Sequence, residues 1–385
     1  MSHVDPRTIL VVCPNLIGDA VMATPALRAL RERYPEARIV GLTRPVVGEV
    51  LAGSPWFDER VDYDPRSRQA AVRLPAVVAR LRPLRPDLAV LLPNSFRSAW
   101  VAWLAGARRR LGYARGGRGL LLTDRLTPPR DPLGRYIPTP AVEYYLALAR
   151  FLDCPVRSVR TELYVTSDEH ARAEAAWRSL GIDTEQPVVC LNTGGAFGPA
   201  KNWPIPHFIT LARRLAQEHE VWVVVLCGPA ERDHARAIAR GADHPRVVSL
   251  ADQPPSVGLT KAAIARSALL ITTDSGPRHF AGPLGVPVVS LFGPTHIAWT
   301  RTYHPNAVHL QHRVPCGPCQ RPICPEGHHR CMVDLLPETV LTAAGRLLAP
   351  GVPRPLRTDR PEVVVVRPPR HPSGQSLAAQ RRDRR

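Results

Sequence analysis

Short apolar runs alternate with amphipathic stretches along the first half of the chain. Residues 9–12, 38–42 and 88–92 are strand-like, whereas residues 20–33 and 96–104 have the spacing of helices that bury one face. Each strand-like run ends in a loop that contains Pro, Gly, Asn or Thr. This alternation predicts a parallel sheet with helices on both faces.

The second half repeats this plan after the pattern resets near residues 161–166. A basic, glycine-rich stretch at residues 108–118 interrupts the first half and is predicted to be a loop. Beyond residue 350 the chain is rich in Pro and Arg, which predicts disorder except for a short strand at 363–366. The strands predicted in the second half are 188–191, 221–226, 247–250, 269–272 and 288–292.

Composition and charge narrow the class of protein. The hydrophobic fraction of 44% and the charged fraction of 22% are typical of a globular protein. The net charge of +18 indicates either an arginine-rich but otherwise ordinary protein or one attracted to an anionic surface. Few aromatic residues and no nucleic-acid-binding motif favour a membrane surface or a phosphorylated acceptor over DNA or RNA. The absence of a secretion signal and of a long apolar run predicts a cytoplasmic location.

The stretch ITTDSGPRHFAGPL, residues 271–284, is the strongest chemical signal. An apolar run stops at two threonines, and the sequence DSG, residues 274–276, follows at once. This pattern predicts a buried strand that turns sharply into a helix, with Ser275 as the helix cap. Free amides at the start of a helix bind phosphate, aided by the helix dipole. With Arg278 and His279 as further donors, the turn predicts a site for an anionic ligand such as a nucleotide.

Two further loops follow predicted strands and carry polar groups. The stretch LNTGGAFGPAKNWP, residues 191–204, has three glycines before Lys201. Flexible backbone amides and one ammonium group suit a diphosphate, although the spacing is not that of a Walker loop. Glu231 follows a Gly–Pro–Ala turn, where its carboxylate either accepts hydrogen bonds from a ribose or caps the next helix.

A single carboxylate, Asp19, follows the first predicted strand at the mouth of the expected cleft. An acid in the first turn of a helix is stabilised by the helix dipole, so Asp19 has an ordinary structural explanation. The alternative is a general base held at the edge of the sheet. The spacing alone leaves both interpretations open.

Four cysteines lie within sixteen residues near the end of the second half: Cys316, Cys319, Cys324 and Cys331. In a cytoplasmic protein this density indicates metal before disulfides. Four thiolates at these spacings can close a tetrahedral zinc site. We therefore expect a structural zinc, with an iron–sulfur cluster or free, redox-active thiols as the alternatives.

Three motifs resemble those of glycosyltransferase family 9, the ADP-heptose:lipopolysaccharide heptosyltransferases, and are closest to the heptosyltransferase II branch. They are NLIGDAVMATPALRALR, GGAFGPAKNWP and TTDSGPRHFAGPLGVPVVSLFGPT, and the resemblance runs from residue 9 to 347. It implies a GT-B fold, in which two doubly wound, Rossmann-like α/β domains face a central cleft. The expected units are an acceptor-binding domain (1–170), a nucleotide-sugar-binding domain (171–349, with a Cys-rich loop at 316–331) and a tail (350–385).

The resemblance also implies roles for individual residues. Asp19 would be the base that takes the proton from the acceptor hydroxyl. Lys201 would contact the diphosphate of ADP, and Asp274 would hold sugar hydroxyls. Further donor contacts are expected from the backbone amides of Ser275 and Gly276 and from His279.

The remaining contacts implied by the resemblance lie on both sides of the cleft. Some relatives carry hydroxyl side chains in the loop before the lysine, whereas this chain has Gly195 and Ala196, so contacts there must come from the backbone. Glu231 is the expected ribose contact. The acceptor-facing residues are Asn94, Ser95 and Arg97.

The implied reaction is an inverting, metal-independent transfer of heptose from ADP-heptose to the lipopolysaccharide inner core. No cofactor is expected for catalysis, because Lys201 and backbone amides replace the metal at the leaving group. The expected partners are ADP-heptose, a phosphorylated lipid A–Kdo–heptose acceptor and the anionic face of the inner membrane, but not nucleic acid. The alternatives are a family 9 enzyme with another nucleotide sugar or surface-glycan acceptor and, remotely, a non-catalytic nucleic-acid-binding module.

Overall fold

The structure is a computed structural model that describes residues 5–183, 185–195 and 197–349, together with the backbone of residues 362–366. None of the helices in this described part combines the length and the hydrophobicity that crossing a membrane requires.

The amino-terminal half forms a six-stranded parallel sheet covered by helices. Its strands are β1 Thr8–Val12, β2 Arg38–Thr43, β3 Glu59–Asp62, β4 Leu88–Leu91, β5 Arg109–Tyr113 and β6 Asp124–Leu126. Its helices are α1 Ile17–Met22, α2 Thr24–Arg33, α3 Pro45–Val50, α4 Leu74–Leu81, α5 Phe96–Leu104 and α6 Ala141–Phe151. The strand order is β3–β2–β1–β4–β5–β6. This order is that of a doubly wound sheet, in which the chain reverses direction next to the first strand.

The carboxyl-terminal half forms a second parallel sheet, of seven strands. Its strands are β7 Val188–Asn192, β8 Trp222–Leu226, β9 Val247–Ser249, β10 Leu269–Thr273, β11 Val288–Phe292, β12 Ala307–His312 and β13 Glu362–Val366. Its helices are α7 Ser167–Ser179, α8 Ile205–Glu218, α9 Arg232–Ala242, α10 Val257–Ala265, α11 Arg330–Val333 and α12 Pro337–Leu348. The strand order is β13–β12–β11–β10–β7–β8–β9. The two sheets confirm the predicted α/β class.

The two halves pack directly against each other, so one apolar core includes residues from both. Val21 of α1 and Phe280 after β10 belong to the same buried cluster. Helix α3 contacts helix α10, where the carboxylate of Glu49 accepts a hydrogen bond from the Val257 amide at 3.0 Å. Helix α1 contacts the 3₁₀ turn Gly276–Phe280. These contacts bring the carboxyl ends of β1 and β10, where ligands of doubly wound sheets bind, to a common place.

Several predicted elements differ from the structure. The helix predicted at 20–33 is two helices, α1 and α2, which meet at Ala23 just before Pro25. The stretch 108–118, predicted to be a loop, contains strand β5, which pairs with β4 on one side and β6 on the other. Arg109, the first residue of this strand, forms an ion pair with Asp124. The short strand predicted within the tail is confirmed as β13, which pairs with β12. The predictions for residues 350–361 and 367–385 lie outside the described residues.

Candidate active site

Asp274, at the end of β10, is held by charges and hydroxyl groups on every side. One carboxylate oxygen lies 2.6 Å from Lys201 Nζ and accepts a hydrogen bond from Thr295 Oγ1 at 2.7 Å. The other lies 3.4 Å from Arg278 Nε. Burial acts to raise the pKa of Asp274, but the charges of Arg278 and Lys201 and these hydrogen bonds lower it to about 2. The carboxylate is therefore ionised and fully partnered in the folded protein.

The turn after Asp274 differs from the predicted capped helix. Ser275 precedes a 3₁₀ turn, and its side chain makes no capping hydrogen bond. Its hydroxyl instead accepts a hydrogen bond from Asn192 Nδ2 at 2.8 Å. Asn192 ends the neighbouring strand β7, so the side chain that was expected to cap the turn ties two strand ends together. The prediction of a Ser275 cap is wrong.

His279 is buried in this turn and is neutral. Burial, and then the charge of Arg278, place the pKa of His279 well below its usual value. Arg278 Nη2 lies 3.1 Å from His279 Nε2, and an arginine can only donate, so Nε2 is the acceptor. The ring proton is then on Nδ1, which is buried and has no hydrogen-bond partner in the described part of the chain. His279 thus holds a free N–H donor beside the turn.

The glycine-rich loop after β7 lies over the same turn. A β-carbon added at Gly195 would come 2.8 Å from Ser275 Cβ, so only glycine permits this approach. Glu231 lies against the backbone of Gly194 in this loop; it occupies the N-cap position of helix α9 but its side chain makes no capping hydrogen bond, and its contact with a ribose stays a prediction. Ala196, the other loop residue predicted to contact the donor, lies outside the described residues.

Asp19 lies in the first turn of α1, with a partly exposed side chain and an unusual titration. Burial raises the pKa of Asp19 to about 6, although the positive charge of Lys201 opposes this shift. The influence of Lys201 shows that the amino-terminal carboxylate and the carboxyl-terminal ammonium group are near each other. Within the described residues Asp19 has no ion pair and its side chain accepts no hydrogen bond. A carboxylate with a pKa near neutrality and without partners has the properties of a general base.

The approach of α1 to the 3₁₀ turn depends on two glycines. A β-carbon added at Gly18 would come 2.6 Å from His279 Cδ2, and one added at Gly276 would come 3.0 Å from Ile17 Cβ. Real β-carbons do not approach other atoms at 2.6 Å, so the backbone at Gly18 can lie on the imidazole only without a side chain. This contact places Asp19, the next residue, beside the turn that carries His279.

The predicted acceptor residues lie at the end of β4, around the buried guanidinium of Arg118. Arg118 is fully buried and donates to Ser98 Oγ at 2.8 Å, to Asn94 Oδ1 at 3.3 Å and to backbone oxygens, including that of Pro93. Ser95 caps helix α5 by accepting a hydrogen bond from the Ser98 amide. The side chains of Asn94 and Ser95 thus make hydrogen bonds within the fold, although Ser95, like Arg97, is exposed.

A cavity of about 330 Å³ lies at the carboxyl ends of β1, β2 and β4. Ser95 and Arg97 line it, whereas Asn94 does not. Arg44 adds a second guanidinium, which lies 3.4 Å from Asp64. A cavity with two guanidinium groups at the ends of parallel strands suits an anionic, hydroxyl-rich ligand. The roles predicted for Asn94, Ser95 and Arg97 stay predictions.

The Cys-rich loop contacts the segment that carries Lys201. The Ala200 amide donates to the Pro322 carbonyl at 3.0 Å, and His329 Nε2 lies 2.7 Å from the Ala200 carbonyl. All four thiols are free, and Cys316 Sγ lies 3.8 Å from His328 Nε2. Among the described residues, no three His, Cys, Asp or Glu side chains are grouped so that they could hold a metal ion. The loop therefore supports the Lys201 segment through hydrogen bonds, and the zinc site stays a prediction.

Some functional residues were not predicted from the sequence. Thr295 follows β11 in the quoted GPT motif, and its position after a strand was a usable signal. Burial, and then the nearby charge of Asp19, raise the pKa of the Tyr145 phenol well above its usual value. Arg118 is one of many arginines in a basic stretch, and nothing in the sequence distinguishes it from its exposed neighbours.

Comparison with known proteins identifies the family. Glycosyltransferase family 9 (heptosyltransferase) matches residues 76–330. Lipopolysaccharide heptosyltransferase 2 of Escherichia coli K12 is 29% identical over 359 residues, which cover 88% of this chain and 98% of the relative. Lipooligosaccharide heptosyltransferase 2 of Campylobacter jejuni serotype O:2 is 34% identical over 343 residues, with 88% and 98% covered.

A solved structure extends this similarity to the fold. The structure of E. coli ADP-heptose LPS heptosyltransferase II matches with a TM-score of 0.72 and 28% identity, covering 89% of this chain and 98% of the other. The match confirms the predicted GT-B type of architecture, with its two parallel sheets. The chain is a glycosyltransferase, and it belongs to glycosyltransferase family 9.

Proposed function

We propose that this enzyme moves heptose from ADP-heptose to the inner core of lipopolysaccharide, with inversion at the anomeric carbon. The relatives named above are heptosyltransferases of lipopolysaccharide or lipooligosaccharide. The relative of known structure is named as an ADP-heptose LPS heptosyltransferase. The observation that carries the mechanism is the position of Asp19. Its raised pKa, its lack of partners among the described residues and its place next to Gly18, which packs on His279 of the turn after β10, suit a base that faces a nucleotide sugar.

In the proposed reaction, Asp19 takes the proton of an acceptor hydroxyl while the hydroxyl oxygen bonds to the anomeric carbon. The bond between that carbon and the ADP oxygen breaks, and its electron pair leaves with ADP. Attack from the side opposite the leaving group inverts the configuration. Lys201, the free Nδ1–H of His279 and the amides near Ser275 stabilise the negative charge that develops on ADP.

The donor side is arranged before ADP arrives. Lys201 Nζ also donates to the Asp274 carbonyl at 2.9 Å, and its ammonium lies 4.5 Å from the centre of the Phe197 ring. These contacts restrict the lysine to one place, so little reorganisation is needed when charge appears on the leaving group. In this proposal the main role of Asp274 is to hold Lys201 in place, because both of its carboxylate oxygens already have partners. Contact with sugar hydroxyls is its secondary role.

We expect the transfer to need no metal ion, because Lys201 and the amides of the turn after β10 would stabilise the leaving group in its place. Activity that survives extensive treatment with EDTA supports this expectation, whereas restoration by Mg²⁺ after such treatment contradicts it. The structural zinc predicted at Cys316, Cys319, Cys324 and Cys331 is a separate proposal. Elemental analysis of the purified protein tests it, and protein without stoichiometric zinc or iron excludes a metal at these cysteines.

The decisive experiment supplies ADP-heptose and a lipid A–Kdo–heptose acceptor to the purified enzyme. Release of ADP, with a gain of one heptose in the mass of the acceptor, is the expected result. Parallel reactions with other nucleotide sugars and other surface-glycan acceptors test the nearest alternative within the family. Transfer only from another donor contradicts the heptosyl assignment. Salt-dependent binding of DNA or RNA without any sugar transfer would instead favour a nucleic-acid-binding protein.

A further inference from the structure

Helix α5 exposes an aromatic stripe made of Phe96, Trp100 and Trp103. Their exposed fractions are 49%, 37% and 48%, and the spacing of four and three residues places them on one face of the helix. The Phe96 and Trp100 rings lie 6.0 Å apart between centroids, and the Trp100 and Trp103 rings lie 5.3 Å apart. Single exposed apolar residues are ordinary, but a contiguous aromatic surface marks an interaction site.

A neighbouring element exposes a further large apolar side chain. The 3₁₀ turn Arg118–Leu121 contacts α5, and within it Leu120 is 92% exposed. Arg118 fixes this turn to the start of the helix by donating to the Ser98 hydroxyl at 2.8 Å. The buried guanidinium therefore fixes an element that contacts α5 and carries an almost fully exposed leucine.

The segment of chain that begins with the stripe is strongly basic. Residues 96–136 contain nine arginines against two aspartates. Both aspartates are paired with arginines, Asp124 with Arg109 and Asp131 with Arg135. In the described part of the chain, the exposed Arg97, Arg115, Arg125 and Arg130 have no carboxylate partner. Aromatic rings with excess arginine match the boundary between acyl chains and anionic headgroups.

The opposite face of α5 leads to the candidate acceptor cavity. Ser98 and Val101 are buried in that face and line the cavity, and Arg97 lies at the edge between the two faces. A bilayer against the stripe would therefore lie one helix diameter from the cavity. This arrangement lets an acceptor remain anchored in lipid while its sugars enter the enzyme.

We infer that Phe96, Trp100, Trp103 and Leu120 form a docking surface for an anionic phospholipid bilayer. The inference adds a surface to the membrane partner of the proposed function, but lipid binding itself does not require the transferase assignment. Charge complementarity decides the occupant. A second copy of the chain would place its own arginines next to those of the docking surface and would be repelled. The segment 351–385 of this chain, with nine arginines and three acids, would be repelled as well.

Flotation with lipid vesicles tests the inference without any acceptor or donor. The wild-type protein should float with phosphatidylcholine vesicles that contain about a quarter phosphatidylglycerol, and much less with phosphatidylcholine alone. Replacing both Trp100→Ser and Trp103→Ser should weaken the partition at least about tenfold, and Leu120→Ser should weaken it by a smaller factor. Ile323→Ser, an equally simple change at a 69% exposed residue of the Cys-rich loop, should have no effect.

The outcomes separate the alternatives. Unchanged flotation of the double tryptophan variant, or an equal loss in Ile323→Ser, overturns the inference. A concentration-dependent dimer that is lost in the double variant, with no flotation of the wild type, assigns the stripe to a second copy instead. Thermal unfolding of each variant verifies that the fold is intact. With a water-soluble acceptor fragment the double variant should keep wild-type turnover, so a failure of lipid docking is distinguishable from a failure of the transferase assignment.

Discussion

Asp19 and Asp274 each follow a buried parallel strand, yet their environments are opposite. Asp274 has two cations and two threonine hydroxyls within 3.4 Å, and its pKa is lowered to about 2. Asp19 has no partner among the described residues, and burial raises its pKa to about 6. A carboxylate saturated with partners holds other groups in place, whereas one left without them can accept a proton. The two carboxylates therefore differ in environment, one fully partnered within the fold and the other without partners in the described residues.

The largest expected effect is on turnover when the unpartnered carboxylate is removed. Asp19→Asn should reduce kcat by about 10²–10⁴-fold, because a positioned general base contributes that much to the rate. Affinity for ADP, measured by calorimetry, should stay within a factor of a few. The wild-type rate should rise with pH through about 6, where Asp19 ionises, and this limb should be absent from the variant. Asp168→Asn, an exposed acid in the first turn of α7, is the control; near-normal kcat in Asp19→Asn would remove the base assignment.

The partnered carboxylate should matter most for stability. Asp274→Asn leaves Lys201 and the buried Arg278 without their counter-ion, which typically costs about 3–5 kcal/mol of the free energy of unfolding. Urea denaturation at pH 7 measures this loss, and Asp233→Asn, at a 95% exposed side chain, should be nearly neutral. The contribution of Asp274 exists above its unfolded pKa of 3.8 and disappears as pH falls through about 2. Equal free energies of unfolding for the two variants would show that the ion pairs of Asp274 do not stabilise the fold.

The contact between the two environments can be disturbed by one methyl group. Gly18→Ala places a β-carbon against the buried His279 ring, and overpacking of this kind costs about 1–3 kcal/mol of stability. Because His279 must shift, KM for ADP-heptose should rise as well. Gly119→Ala, where an added β-carbon meets no atom within 4 Å, is the matched control. An unaffected Gly18→Ala enzyme would mean that the two halves do not approach each other in this way.

Removal of the Asp19 charge should stabilise the fold, whereas removal of the Asp274 charge should destabilise it. Asp19→Asn should increase the free energy of unfolding at pH 7 by about 1–2 kcal/mol, since an ionised carboxylate with a raised pKa destabilises the folded state. The gain should shrink as pH falls below about 6 and vanish below 3.8, where Asp19 is protonated in both states. Urea denaturation at pH 7 and near pH 4 measures it. A loss of stability at pH 7 would contradict the assigned environment of Asp19.

The smallest effect concerns the loop behind Lys201. His329→Ala removes the hydrogen bond to the Ala200 carbonyl, worth about 0.5–1.5 kcal/mol, so KM for ADP-heptose should rise a few-fold while kcat changes little. His329→Gln retains a donor at this place and should recover part of the affinity. If both variants bind the donor as the wild type does, the Cys-rich loop does not position Lys201.

Much of this arrangement was predictable because local patterns decide it. Apolar runs followed by small residues predicted the strands and the turns after them. The DSG and GDA motifs indicated which edges of the two sheets meet. The hydrogen-bond partners of the site residues were harder to predict, because they come from distant segments of the chain. Thr295 reaches Asp274 from the end of β11, and Asn192 takes the hydroxyl of Ser275, so the predicted cap does not form. The buried Arg118 has no sequence signal, since its role depends on carbonyl groups that only the fold brings together.

Strand β13 has a practical consequence for anyone who shortens the chain. It pairs with β12 along five residues, from Val308–Glu362 to His312–Val366, and so occupies the outer side of that strand. Truncation near residue 350 would leave the amides and carbonyls of β12 that face β13 unpaired, although those facing β11 would keep their partners, and exposed strand edges of this kind recruit other molecules into aggregates. Expression for crystallisation should therefore retain the chain through Val366, even though the intervening segment is tempting to delete.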